Sequence, residues 1–524
     1  MTRRAGVFGW GIVAPKSPNI DVFADNLEKS GSWLEAFQGY GPASFLVGTP
    51  EFDFSAYRDW LLERFPPNRF AQLESKMGMP TLYAVGSFIQ ALRQNEGIEA
   101  ELQSLGPRCQ VLIGTGLGDV ATADDQSRSY WKAQRRWDRF WSDPERNAAA
   151  RRHAESPDGW DGPEPPPHPD SVDDPEDRLE AEDRWWSFWA SQSDQLGRYL
   201  EQLCEIEGAA VEGDIEKGKL ATIKAKRRGH ARLAKEWGAP TPPWLAVSAN
   251  LIWNIHNIPA AQVSMLGKIT GMAMAPVAAC STFGVALHLG LSAIRSGEAD
   301  AVVVGATDPP PHPLTVGAFH AARVIAADGQ VSKPLTQLRG THVAGGSVVW
   351  ILGELEHMKS RGFQPLGLEP VAVGVTSDAD HIITPSQEGP STAVKMALEA
   401  AAVDGDDLGS WDLHATATPG DYNEMELLKS VVTSDVLVSA RKGSFGHGMS
   451  AGGGWELTAQ YLAHERGHVL PTALSKDELH EAIGGLHGNY VFDEPLPLPT
   501  GPEGKLSMGI GGINACVISR PHED

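Results

Sequence analysis

Cysteine is scarce: 524 residues hold four, Cys109, Cys204, Cys280 and Cys516, and no two form a C-x-x-C pair. That spacing excludes a zinc ribbon and offers no disulfide framework, so a reducing compartment is expected. Positive charge is scarce too. Against 67 Asp and Glu stand 44 Lys and Arg, a formal charge of −23. This balance argues against sequence-independent nucleic-acid binding and anionic membrane surfaces, which need a basic footprint. No apolar run approaches the ~20 residues of a membrane span. The opening stretch MTRRAGVFGWGIVAP, broken by Gly and Pro, reads as a first β-strand rather than a signal peptide. No G-x-x-x-x-G-K-[ST] phosphate loop is present, and Gly114-Thr-Gly-Leu-Gly118 lacks the full G-x-G-x-x-G spacing with a downstream acid. The expectation is a cytoplasmic chain with no nucleic-acid or membrane partner, no metal and no bound nucleotide.

What is present is ordinary globular composition, 41% hydrophobic and 21% charged, in an uneven distribution. Residues 4–120 alternate strand and helix signals, with strands at 5–13 and 110–113. Residues 121–243 change character: eight tryptophans, among them Trp131, Trp137, Trp141 and Trp189, stand among many charges, and 156–175 is a Pro-, Asp- and Gly-rich loop. This segment reads as a helical insertion whose tryptophans pack helices together. Its run Lys224-Ala-Lys226-Arg227-Arg228 is the densest basic patch of the chain, either a solvated helix face or a docking site for an acidic partner. From 244 onward strand and helix alternate again.

The chemistry concentrates in four places. An apolar strand runs into Cys280, and a helix with Ala286, Leu289, Ala293 and Ile294 at helical spacing follows and ends at Gly297. A cysteine at such an elbow meets the positive end of the helix dipole and unpaired N–H groups, which favour a thiolate and can hold an oxyanion. His414 ends the strand Trp411-Asp-Leu-His414, and His447 lies between a strand at 436–439 and a helix. Both sit just past strand ends, where open α/β sheets place their sites. Near the end, Ser507-Met508-Gly-Ile510-Gly-Gly-Ile-Asn514 is a glycine-rich turn that lets backbone approach a ligand.

Taken together these motifs resemble the β-ketoacyl-acyl carrier protein synthases, the condensing enzymes of the thiolase superfamily, in their elongating Cys-His-His form. Ala278-Ala-Cys280-Ser-Thr matches the nucleophile motif, His414-Ala-Thr416-Ala-Thr418 resembles HGTGT, Lys442-Gly-Ser-Phe-Gly-His447 matches KxxxGH, and Gly509-Ile510-Gly-Gly-Ile-Asn514 is similar to GFGGTN. The chain departs from the pattern at Ala415 and Ala417, at Ile510 in place of an aromatic gate, at the bulky Phe283, in a loop one residue short before Glu424, and in 333–346, which lacks the usual acids.

The resemblance implies an α/β thiolase-like fold of two related βαβ-based halves in α/β/α/β/α layers, residues 1–120 with 244–355 and residues 356–524, interrupted by the 121–243 insertion. It implies decarboxylative Claisen condensation of an acyl group on Cys280 with malonyl-acyl carrier protein, in fatty acid or polyketide biosynthesis. Catalysis would fall to Cys280, His414, His447 and Lys442, the last orienting His414 with Glu424 as charge partner. The oxyanion would meet the N–H groups of Cys280 and Ile510. Thr416 and Thr418 would hold the phosphopantetheine arm, which the carrier protein brings, with no cofactor bound to this chain itself. Glu456 would support the loop, and Phe283, Met508 and Ile510 would shape the acyl pocket. A homodimer, or a heterodimer with a related synthase, is implied as well. The competing readings are a thiolase-fold acyltransferase and a non-catalytic partner subunit. Both histidines argue against the first, and the retained Cys280 against the second.

Overall fold

Near-continuous apolar runs such as Ala301-Val-Val-Val304 call for strands covered on both faces, and two five-stranded sheets result. The computed structural model describes residues 3–41, 44–211, 215–382, 386–432 and 435–522. The first sheet holds β1 (Ala5–Val13), β2 (Cys109–Gly114), β3 (Ala273–Met274), β4 (Ala301–Asp308) and β5 (Gly346–Glu354), in the order β1-β5-β4-β2-β3. β1 and β4 run antiparallel to β5, and β2 runs parallel to β4 and β3. The second sheet holds β6 (Leu368–Ser377), β7 (Ser410–Asp412), β8 (Leu437–Ser439), β9 (Glu503–Gly509) and β10 (Ile513–Pro521), in the order β6-β10-β9-β7-β8. β6 and β9 run antiparallel to β10, and β7 runs parallel to β9 and β8. Each sheet thus has the order first, fifth, fourth, second, third, with the same pattern of directions. The halves repeat one topology.

Helices supply the remaining layers. Helix α1 (Met79–Leu92) packs on β1 and β5, and α2 (Thr282–Ser296) lies between the sheets against β4 and β6. Helix α3 (Glu388–Ala401) covers β6 and β10 from outside, with α4 (Gly420–Val431) beside it. Helix α5 (Met449–Arg466) joins α2 in the central layer and touches β4, β7 and β9. The expected α/β/α/β/α arrangement is therefore present. Small residues let α2 fit there: a Cβ at Gly290 would stand 2.8 Å from Val304 of β4, and one at Gly284 2.6 Å from Ala515 of β10. Gly297, at φ +78, closes the helix in the left-handed conformation, as its position predicts.

The strand expected to run into Cys280 is shorter than its apolar sequence suggests. β3 stops at Met274, because Pro276 has no N–H to give a ladder and its carbonyl sits against Gly114, where a Cβ would meet it at 1.9 Å. Residues Thr122–Leu251 form a second compact unit, in which helices include Pro175–Ser191, Asp194–Glu207 and Ile215–Trp237. Trp137 and Trp141 pack with Tyr199, Leu203 and Leu233, and Trp189 packs with Ala149 and Ala150. These tryptophans are the helix-packing residues the sequence suggests; Trp131 is exposed. Among the described residues no helix is long and apolar enough to cross a membrane.

Candidate functional site

Cys280 sits in a single 3-10 turn, Ala279–Ser281, at the N-terminus of α2. Side chains fix this elbow from both sides. Thr282 Oγ1 accepts from Ala278 N–H (2.9 Å) and donates to the Ala279 carbonyl (2.7 Å), and Ser281 Oγ reaches the Ile513 carbonyl (2.7 Å). Ala279 is held at φ +47, a conformation that costs an L-residue about 1–2 kcal/mol. Gly509 lets the end of β9 approach: a Cβ there would lie 2.7 Å from the Ala278 carbonyl oxygen. In consequence the N–H groups of Ile510 and of Cys280 itself point at the thiol sulfur.

The helix-end stabilisation expected of a thiolate is present but outweighed. Burial pushes the Cys280 thiol up to about 11, against the Ile510 N–H and the charge of Lys442, which pull it down. At rest the residue is a neutral thiol. Its sulfur lies 3.1 Å from His447 Nε2, so a base stands ready to take the proton.

His414 follows β7, and His447 lies between the short helix Lys442–Phe445 and α5. The two rings are 5.4 Å apart, centroid to centroid, and nearly perpendicular at 81°. Burial first, and then the charges of Lys442 and Lys505, hold both well below the usual imidazole range. Both are neutral at pH 7. His447 Nδ1 is buried and has no hydrogen-bond partner among the described residues, so neither tautomer of that ring is locked.

Lys442 donates to the His414 carbonyl and to Glu456 Oε1 (2.6 Å). It therefore fixes His414 through the backbone, and its charge partner is Glu456 rather than the expected Glu424. Glu424 instead accepts the N–H groups of His414 (2.7 Å) and Ala415 (2.8 Å), and burial raises it to about 7. Asp421, raised to about 6 by burial, accepts from Thr416 N–H at 2.8 Å and Ala417 N–H at 3.1 Å. Its hold fixes the loop in which Ala417, where HGTGT has glycine, takes φ +59. Three charges escaped the sequence reading: Lys505, Asp412 and Arg441, all buried behind the histidines. The available signal was a lysine in a short strand whose burial pattern leaves almost no exposed position. Asp308, at the end of β4, also went unnoticed; it accepts from Gly116 (3.0 Å), Leu117 (2.8 Å) and Ser450 (2.7 Å) N–H groups.

A cavity of about 860 Å³ opens on Cys280, His414 and His447 and is walled by Thr416, Thr418, Met508 and Ile510. The two threonine hydroxyls are 3.0 Å apart, and Ile510 is 43% exposed. Phe283, expected at this pocket, is instead in the core: it is fully buried, edge-on to Trp350 at 5.1 Å, with Gly454 beside it. It does not line the cavity; its ring fills the space between β5 and α5, where Trp350 and Gly454 receive it.

Comparison with known proteins agrees with this geometry. The family described as "Beta-ketoacyl synthase, N-terminal domain" matches residues 229–358, and "Beta-ketoacyl synthase, C-terminal domain" matches 369–475. A curated relative, 3-oxoacyl-[acyl-carrier-protein] synthase 2 of Vibrio cholerae, is 31% identical over 273 residues, covering 49% of this chain and 63% of the relative. The match thus spans less than two thirds of that relative's length. Among solved structures, the ishigamide ketosynthase/chain length factor aligns with a TM-score of 0.68 at 17% identity, covering 100% of both chains. A type II polyketide ketosynthase, bound to the hexaketide and in complex with its acyl carrier protein, aligns with a TM-score of 0.65 at 17% identity, again over 100% of both.

A neutral, buried thiol makes a testable signature. Alkylation of Cys280 by iodoacetamide, followed by peptide mass spectrometry with the exposed Cys204 as internal reference, should be slow at pH 7. It should accelerate about tenfold per pH unit up to pH 10 without a plateau. A plateau near neutrality would show a resting thiolate.

Proposed function

We propose that this chain, which β-ketoacyl synthase family models match over residues 229–358 and 369–475, is a β-ketoacyl synthase and joins an acyl group carried on Cys280 to malonyl-acyl carrier protein by decarboxylative Claisen condensation. The observation that carries the reading is one thiol with His447 Nε2 at 3.1 Å and two backbone N–H groups aimed at its sulfur, beside a second neutral imidazole.

In the first half-reaction His447 Nε2 takes the thiol proton as the sulfur attacks the thioester of an acyl-carrier protein. The N–H groups of Cys280 and Ile510 hold the tetrahedral oxyanion, and the departing pantetheine thiol takes the proton. Malonyl-carrier protein then binds. His414 and His447 donate N–H to its thioester oxygen, CO2 leaves, and the electron pair moves onto that oxygen as an enolate. The α-carbon attacks the Cys280 thioester and expels the cysteine sulfur, which takes a proton from solvent to return to the thiol, giving the β-ketoacyl-carrier product. The unlocked tautomer of His447 suits a ring that accepts a proton in one half-reaction and donates in the other.

The carrier's phosphopantetheine arm would lie in the 860 Å³ cavity, a volume that suits an arm with an acyl group, with Thr416 and Thr418 on its amides. Ile510 and Met508 would bound the acyl group; Ile510 is stiff at χ1 where an aromatic ring would swing, which favours an acyl group other than a plain saturated chain. In this reading Lys442, Glu424 and Glu456 position rather than react. The protein would work in the cytoplasm as a dimer, homo- or hetero-. Supporting this is β3, an edge strand that leaves Met272, Met274 and Val277 exposed at 46%, 38% and 54%; apolar edges of this kind are normally covered. For carrier docking, Lys226 is tied to Glu207 at 3.2 Å, which leaves Lys224, Arg227 and Arg228 exposed.

Four measurements test the reading. His414→Ala should still load acyl groups on Cys280, seen by intact mass, yet release CO2 from malonyl-carrier protein about 100-fold more slowly; Cys280→Ala should load nothing. In the unaltered protein the acid limb of CO2 release should lie well below pH 6.5, because activity is present above the depressed imidazole values and disappears only as pH falls through them. Met274→Glu should convert the dimer to monomer by light scattering, and a dimer that survives places the interface elsewhere. Reversing Lys224, Arg227 and Arg228 to Glu should weaken carrier binding most at low salt, where exposed charges are least screened; unchanged affinity would make that helix face a solvated one.

A further inference from the structure

Lys505 stands where the second sheet forks. The parallel β7–β9 ladder pairs Glu503 with Ser410, Gly504 with Trp411 and Lys505 with Asp412, and ends there. Beyond that rung one chain turns off to His414, two residues on, and the other runs five residues further to Ile510. Sheet neighbours are ordinarily held by N–H···O=C pairs. At the fork the Lys505 ammonium replaces them, donating to the carbonyls of Leu413 (3.3 Å) and Leu506 (2.5 Å), one on each diverging chain.

The charge of this lysine, 1% exposed, is met by Glu456 Oε2 at 2.9 Å and Asp412 Oδ1 at 3.5 Å, both fully buried. Glu456 is shared, since its other oxygen takes Lys442. Two lysines bridged by one carboxylate of α5 therefore hold the consecutive carbonyls of Leu413 and His414. An ammonium buried this deeply is costly to keep, and an apolar residue would satisfy a strand position packed on a helix. We propose that Lys505 is a positioning residue of the condensation step, clamping the chain that leads to His414 against β9 so that its ring keeps its place beside Cys280, while the Ile510 turn stays held by the β9–β10 pairing of Gly509 with Ile513.

Its charge acts in the same direction, because it stands with Lys442 behind the two rings and makes both bind protons less readily. The charged and titratable groups around them are Asp412 at the end of β7, Arg441 and Lys442 after β8, Glu456 on α5, Asp421 and Glu424 on α4, Cys280 and Asp308 from the first half, and Cys516 on β10.

The inference rests on the condensing function proposed above. Its test compares the full chain with Lys505→Met, which keeps length and removes charge and donors, and with Lys505→Met/Asp412→Asn, which also removes one unpaired negative charge. Both variants should load acyl groups on Cys280 within about threefold of the unaltered protein, while CO2 release falls ~10–100-fold and its acid limb moves up toward pH 6.5. Equal loss of loading and CO2 release with an unmoved acid limb would reduce Lys505 to a structural role, and unchanged CO2 release would also overturn the proposal. Should the unaltered protein release no CO2, the condensing function fails instead. The His414 and His447 imidazole resonances, titrated by NMR, then decide for Lys505: an upward shift in Lys505→Met supports it, and no shift overturns it.

Discussion

Five charges with almost no access to water govern the site. Arg441, Lys442 and Lys505 face Asp412 and Glu456, and none of the five is more than 3% exposed. Charges so placed are tolerable only while paired, and removing one partner of a buried pair costs about 3–5 kcal/mol. They come from β7, the turn after β8, α5 and β9, so all four must be in register before the charges pair. Through this cluster the carbonyls of Leu413 and His414 are held by two buried lysines.

The site also depends on the repeat of one topology. Cys280 comes from the first half, after its third strand, while both histidines and the Ile510 N–H come from the second. Asp308 ties the two together, with the 116–117 turn on one side and the start of α5 on the other. Between the sheets, Gly284 and Gly290 let α2 lie close to strands of both halves, which sets the elbow of Cys280 beside the turn of Ile510.

Much of this was legible in the residues. Apolar runs announced β1 and β4, Gly297 announced the end of α2, and four short motifs placed the reacting side chains. What escaped is physically instructive. Composition suggested a strand into Cys280, but one proline and a close glycine contact end it early. Helical position suggested a thiolate, but burial, which sequence shows poorly, outweighs the helix end. Glu424 was a sensible partner for Lys442 by proximity in the motif, yet Glu456, one loop later, folds back to it. Phe283 was placed by distance along the chain from Cys280, whereas a gap between β5 and α5, opened by Gly454 and walled by Trp350, takes its ring into the core. Lys505 gave no motif at all, since its role arises from a fork between strands nearly a hundred residues apart in the chain.

The raised ionisation of Cys280 has a meaning for the lifetime of the protein. Burial lifts the Cys280 thiol from 9.0 to about 11, so folding lowers the thiolate population roughly a hundredfold. Oxidants and stray electrophiles attack thiolates. The fold therefore acts as a safety catch: the sulfur resists damage at rest, and in the proposed reaction it becomes nucleophilic only while a base takes its proton.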